Sequence, residues 1–229
     1  MHCKKKKYIF MHNPKCAGTF IKHFILSNTK EDYQQNTDLK KYQDEHDVFG
    51  ELKIESIISK HNINHADFES FTVIRNPWDR VVSMFNFLGG WKYDYIMKNK
   101  KEVHLLDKVK IFHKFYKDED FEKFIEYCFL AQNIRSFHQG YIENIIDRSS
   151  INDKVVIKNF YKQEKIFNTM IEISKLIKFD VKHVHKDWRM NSSRKFSLKK
   201  QYRDYYNDNS KKIISKVFEK DIDAFKYTF

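Results

Sequence analysis

The sequence predicts a three-layer α/β domain, a central parallel sheet flanked by helices, on three observations. Two short apolar runs, Tyr8-Ile9-Phe10-Met11 and Phe71-Thr72-Val73-Ile74, each pass through a polar junction into residues at helical spacing. A third β-rich run, Val155-Val156-Ile157, follows Asp153 and precedes another helical pattern. Strands that alternate with helices, with no internal repeat, stack into such layers. At 229 residues the chain suits one domain over 1–229.

Taken in order, the first run enters His12-Asn13-Pro14-Lys15-Cys16-Ala17-Gly18-Thr19 and then Phe20, Ile21, Phe24 and Ile25, whose spacing is helical. Residues 29–47 are polar and read as a loop, and Leu52, Ile54, Ile57 and Ile58 place a short helix over 51–60. After the second run, Asn76 is a suitable N-cap, Pro77 fits the first helical position, and Asp79 in the first turn suits the helix dipole. The stretch 91–116 is weakly patterned. Phe121, Phe124, Ile125, Cys128 and Phe129 predict an amphipathic helix over 120–132. Phe167, Met170, Ile171, Ser174, Leu176 and Ile177 mark another, and Ile213, Ile214, Val217, Phe218 and Ile222 a final one over 207–226. Apolar stripes of this kind are assigned to the core.

Composition narrows the function classes. The 21 Phe and 13 Tyr supply large buried areas, and only 5 Gly and 2 Pro argue against low-complexity linkers. A net charge of +12 favours anionic ligands without choosing among nucleotide, nucleic acid and acidic sugar. Lys4 to Lys7 read as a solvated flank. Cys3, Cys16 and Cys128 suggest neither a disulfide framework nor a zinc site. His61 with His65, and His183 with His185, lack partners at metal-site spacings, so no metal is expected. No signal-peptide pattern and no apolar stretch of about 18 residues is present, which makes a soluble, cytoplasmic protein the expectation.

The chemistry gathers at the two strand-to-helix junctions. At such a place the N–H groups of the loop and first helical turn converge, and the helix dipole attracts an anion. Gly18 removes a side chain where a ligand would approach, Thr19 offers a hydroxyl and Lys15 a mobile charge. The Walker loop needs its lysine after the last glycine, whereas Lys15 precedes Gly18. Arg75 closes the second strand and Ser83 lies about two helical turns beyond. Ligands of open α/β sheets gather at the carboxyl ends of strands, so Lys15 and Thr19 would meet one phosphate and Arg75 and Ser83 another. A nucleotide with phosphates at two ends fits this better than a triphosphate.

Pro14-Lys15-Cys16-Ala17-Gly18-Thr19, followed by Arg75-Asn76-Pro77-Trp78-Asp79-Arg80 and Ser83, resembles the carbohydrate sulfotransferases that use 3′-phosphoadenosine 5′-phosphosulfate. Asn191-Ser192-Ser193-Arg194, Tyr202-Arg203-Asp204-Tyr205-Tyr206 and the stretch from Asp221 to Phe229 resemble the tail of the same family, so the likeness runs over essentially the whole chain. It implies a P-loop-like domain, that donor held by Pro14, Lys15, Cys16, Ala17, Gly18, Thr19, Phe20, Arg75 and Ser83, a carbohydrate or other hydroxyl acceptor, acidic glycans included, and neither metal nor nucleic acid. Some positions depart from the pattern. Phe20 stands where the family often has a small hydroxyl residue, and Asn159-Phe160-Tyr161 where it usually shows arginine, phenylalanine and glutamate.

Sulfuryl transfer needs charge stabilisation on the moving group and the departing phosphate, a task for Lys15. It also needs a base on the acceptor hydroxyl. The family usually places a histidine just before a helix like that at 51–60. His46 fits best, with Glu51, His61 and His65 as competitors. Lys182, Lys186, Arg189, Arg194 and Lys195 could hold an acidic acceptor. A metal-dependent P-loop phosphotransferase and a basic nucleic-acid-binding module stay open as alternatives.

Overall fold

A computed structural model describes residues 1–30, 53–136, 139–183 and 200–229. β1 (His2–Cys3), β2 (Tyr8–Met11), α1 (Gly18–Thr29), α2 (Ile54–His61), β3 (Glu69–Ile74) and α3 (Pro77–Asn86) come first. A π-helical turn (Phe87–Lys92) leads into α4 (Tyr93–Asn99), followed by α5 (Leu106–Lys117), α6 (Phe121–Ile125) and a second π-helical turn (Glu126–Leu130). Then come α7 (Ile145–Arg148), β4 (Ser150–Ile151), β5 (Lys154–Val155), β6 (Asn159–Lys162), α8 (Ile166–Leu176), α9 (Asp208–Val217) and α10 (Glu219–Phe225). The chain packs as two compact units, Met1–Arg75 with Ile145–Asn191 and Asn76–Asn144 with Ser192–Phe229.

The first unit is a mixed α/β body around a four-stranded sheet of order β1-β2-β3-β6. β2, β3 and β6 are parallel, and β1 pairs antiparallel at the edge. All four residues of β2 are buried, the pattern of a strand covered on both faces. Tyr8, Phe10, Phe71 and Tyr161 form a ring ladder across one face, with Phe10 and Phe71 centroids 5.1 Å apart. α1 starts on this side, and α8 packs on α1 and β6. On the other face the Ser70 hydroxyl donates to Val156 O and accepts from Lys158 N, which ties down the β4–β5 hairpin. Towards its end α1 carries Asn28, whose amide accepts from Lys182 N and His183 N and donates to His183 O.

The third parallel strand lies later in the chain than the 155–157 expected. Asn152 and Asp153, both at positive φ, turn the β4–β5 hairpin. Val155 ends that hairpin, and the amides of Val156 and Ile157 donate to Ser149 O. The third parallel strand is β6, half-buried along its length. It is an edge strand, so its sequence lacks the apolar run of β2. Of the core stripe expected at 167–177, Met170, Ser174 and Ile177 are buried, whereas Phe167 and Ile171 are exposed; Ile173, outside that stripe, is buried too.

The second unit is helical and aromatic. Phe85 on α3 meets Tyr116, Phe121, Phe124 and Tyr205 with centroids 5.1–6.1 Å apart. Around it cluster Trp78, Phe112, Phe129, Ile214 and Phe218. The N-cap read from sequence is there: Asn76 Oδ1 accepts from Trp78 N and Asp79 N, with Pro77 next. Arg80 is buried and donates to Gly140 O at 2.6 Å. The amphipathic helix expected over 120–132 continues as a π-helical turn after Ile125, and the final helix breaks at Phe218 into α9 and α10. Within 91–116, where no clear pattern shows, lie α4 and most of α5. Among the described residues no helix is long and apolar enough to cross a membrane, and no group of three metal-ligating side chains occurs.

Candidate active site

In the first unit Met11 of β2 lies beside Thr72 of parallel β3. His12 and Arg75 therefore leave the sheet at the same, carboxyl end, where open α/β sheets hold ligands. The loop from β2 to α1 folds over that end. Lys15 and Ala17 have φ of 63° and 59°, a left-handed conformation that costs a non-glycine residue roughly 1–2 kcal/mol. Contacts on two sides hold it. Cys16 N donates to Asn13 O at 3.3 Å, closing a turn. Arg75 Nη1 donates to Lys15 O at 3.0 Å, so the second sequence motif grips the first.

Ala17 is the N-cap of α1, no side chain caps the helix, and its first turn carries no acidic residue. The amides of that turn and the helix dipole are thus presented to an anion without a competing carboxylate. Lys15, Thr19, Phe20 and Arg75 are partly exposed around them, while Pro14 and Cys16 are buried. Gly18 serves a different purpose from the one expected. A Cβ there would stand 1.8 Å from His12 Cδ2, so the space belongs to the His12 imidazole, which stacks on Phe10 with 6.2 Å between centroids, and not to a ligand. In the second turn of α1, burial and then the Lys22 charge push His23 below its ordinary pKa, so its ring is neutral at pH 7.

A buried polar chain runs beneath the loop. Arg148 Nε donates to Asn13 Oδ1 at 3.3 Å. Asn13 Nδ2 donates to Thr72 Oγ1 at 2.7 Å and Val73 O at 3.2 Å. Thr72 Oγ1 in turn donates to Met11 O at 2.7 Å. Arg148 is 2%, Asn13 1% and Thr72 0% exposed. Sequence reading missed all three. Asn13 stands in the motif but shares its residue type with many surface loops, and Arg148 lies 135 positions away from it with no local signal.

Of the candidate bases, His46 and Glu51 lie outside the described residues, as do Lys186, Arg189, Arg194 and Lys195 of the expected acceptor side. His61 ends α2, with its ring 4.2 Å from that of His2. His65 stands just before β3. His65 is thus at the amino end of β3, whose six residues separate it from Arg75 by about 20 Å of strand at roughly 3.3 Å per residue. Ser83 is in the second unit, 7% exposed on α3, and Lys182 is exposed beside the Asn28 bracket.

The family model described as "Sulfotransferase family" matches residues 1–228. No curated protein and no solved structure matches the chain.

Proposed function

The chain belongs to the sulfotransferase family, and on that premise we propose that it moves a sulfuryl group from 3′-phosphoadenosine 5′-phosphosulfate to a hydroxyl of a carbohydrate, with 1–229 acting as one three-layer, P-loop-like domain. The observation that carries the reading is the Arg75–Lys15 hydrogen bond. It joins the two motifs at the carboxyl ends of adjacent parallel strands, beside an uncapped helix N-terminus. On this reading the donor's 5′-phosphosulfate meets residues 14–20 and its 3′-phosphate meets Arg75 and Ser83.

In the reaction the acceptor oxygen bonds to sulfur as the bond from sulfur to the 5′-phosphate oxygen breaks, and 3′,5′-bisphosphoadenosine leaves. Lys15, a flexible ammonium, neutralises charge on the moving group and the leaving oxygen. The amides of the first turn of α1 hold the phosphate. The acceptor proton passes to a base, and His46 is our assignment. Glu51, His61 and His65 are the competitors, of which His65 stands just before β3, at the opposite end of that strand from Arg75. Neutralisation by lysine and backbone amides leaves no step for a metal to perform. An acidic glycan is one acceptor compatible with the charge of +12.

The test is transfer from labelled donor to a panel of polysaccharides, read by mass, alongside calorimetry of 3′,5′-bisphosphoadenosine without Mg²⁺. Lys15→Ala should cut turnover by about 10²–10³ while the protein stays folded. Binding that requires Mg²⁺, or preference for a nucleoside triphosphate or nucleic acid, overturns the reading.

A further inference from the structure

We infer that Arg148, acting through Asn13 and Thr72, sets the backbone of the anion loop from inside the sheet and is a positioning residue for donor binding. The inference rests on the reading of that loop as the donor site. It starts from a question of burial: a guanidinium held 2% exposed at the end of a four-residue helix is costly to desolvate, and its geometry should show what it does there.

One thing it does is fix the Asn13 side-chain amide. The Asn13 side chain has its carbonyl committed to Arg148 and its NH₂ to Thr72 and Val73, so it cannot rotate without breaking three bonds. The main chain of the same residue accepts from Cys16 N, the bond that closes the turn containing Lys15. Side chain and turn are thus one rigid piece, anchored to β2 by the Thr72 hydroxyl on Met11 O. From the other side Arg75 holds Lys15 O. Two arginines from distant parts of the sequence clamp the loop, one at its root and one at its crest, and between them Lys15 and Ala17 are kept at positive φ.

Removing the Arg148 donor would leave Asn13 Oδ1 buried without it, and the cheapest relief is for Asn13 to turn, carrying the loop with it. A displacement of about 1 Å at a binding group can cost on the order of 10²-fold. The effect should fall on donor binding and on the position of Lys15. Packing of the remainder of the unit should stay as it is.

The experiment compares the full chain with Arg148→Met, Arg148→Lys and Thr72→Val, by calorimetry of 3′,5′-bisphosphoadenosine and by hydrogen exchange of residues 11–20, with 159–176 as internal reference. Arg148→Met should weaken the nucleotide about 10²-fold and speed exchange in 11–20 only. Arg148→Lys, which can still donate to Asn13, should recover part of both losses. Thr72→Val, which removes one hydroxyl, should weaken binding roughly tenfold. Should Arg148→Met fail to fold, the other two variants decide. Folded Arg148→Lys and Thr72→Val proteins with wild-type affinity and unchanged exchange overturn the inference, and so does faster exchange spread evenly over 11–20 and 159–176. If the unsubstituted protein binds no nucleotide, the donor reading falls, while exchange in 11–20 still reports whether Arg148 sets the loop.

Discussion

The two units have interiors of different kinds. In the second, rings pack tilted or edge-on around Phe85, and a buried arginine, Arg80, serves a turn by holding Gly140 O. In the first, the sheet carries a connected polar chain, Arg148–Asn13–Thr72, under a loop with two strained residues. Positive φ occurs in both: Asn62 of the first unit caps a helix C-terminus, and Glu102 of the second, like Ala17, stands just before a helix. Lys100 and Lys226 of the aromatic unit are at positive φ just past helix C-termini, a place where that conformation satisfies carbonyls. Lys15 and Ala17 precede a helix, where no carbonyl needs them so. Strain that serves no helix end, over buried polar groups, points to a site.

Phe85→Ala is the strongest test of the aromatic side of this contrast. It should cost about 3–5 kcal/mol in denaturant unfolding; a loss below about 1 kcal/mol would mean that the rings merely fill space. Gly18→Ala tests the polar side. The new Cβ meets the His12 ring, which must move, and overpacking of this sort costs roughly 1–3 kcal/mol. Adding His12→Ala should relieve most of it, and an unrelieved loss would show that something other than the imidazole demands glycine. The smallest effect is on acidity. The folded protein holds His23 below its ordinary pKa, so it binds fewer protons there than the unfolded chain. The stability concerned is complete above about pH 6.5 and is lost as pH falls from there through the lower folded value. Exchange in α1, corrected for intrinsic rates, should speed up between pH 7.5 and 5.5, and His23→Gln should flatten that dependence.

What the sequence disclosed follows the same division. β2, β3 and the Asn76 cap were legible because their signals are local: short apolar runs, then a cap residue and a proline. β6 was misplaced because Val155-Val156-Ile157 has the stronger intrinsic β preference, while pairing with β3 selects Asn159–Lys162. α4 and most of α5 fall where no pattern was evident, since a π-helical turn shifts the helical phase before α4. At the site, Lys15 and Arg75 were found by motif. Their contact, and the partnership of Arg148 with Asn13, depend on strands and helices far apart in the chain, and no spacing rule reaches that far.

The backbone at Lys15 has one more consequence, for selection on heat resistance. Glycine adopts a φ near +60° without penalty, so a laboratory screen that rewards thermal survival alone should drift toward glycine at 15 and 17. At Ala17 only a methyl group would be lost. At position 15 the same drift discards the ammonium proposed to carry the chemistry, so heat tolerance and turnover would be inherited in opposite directions at that codon.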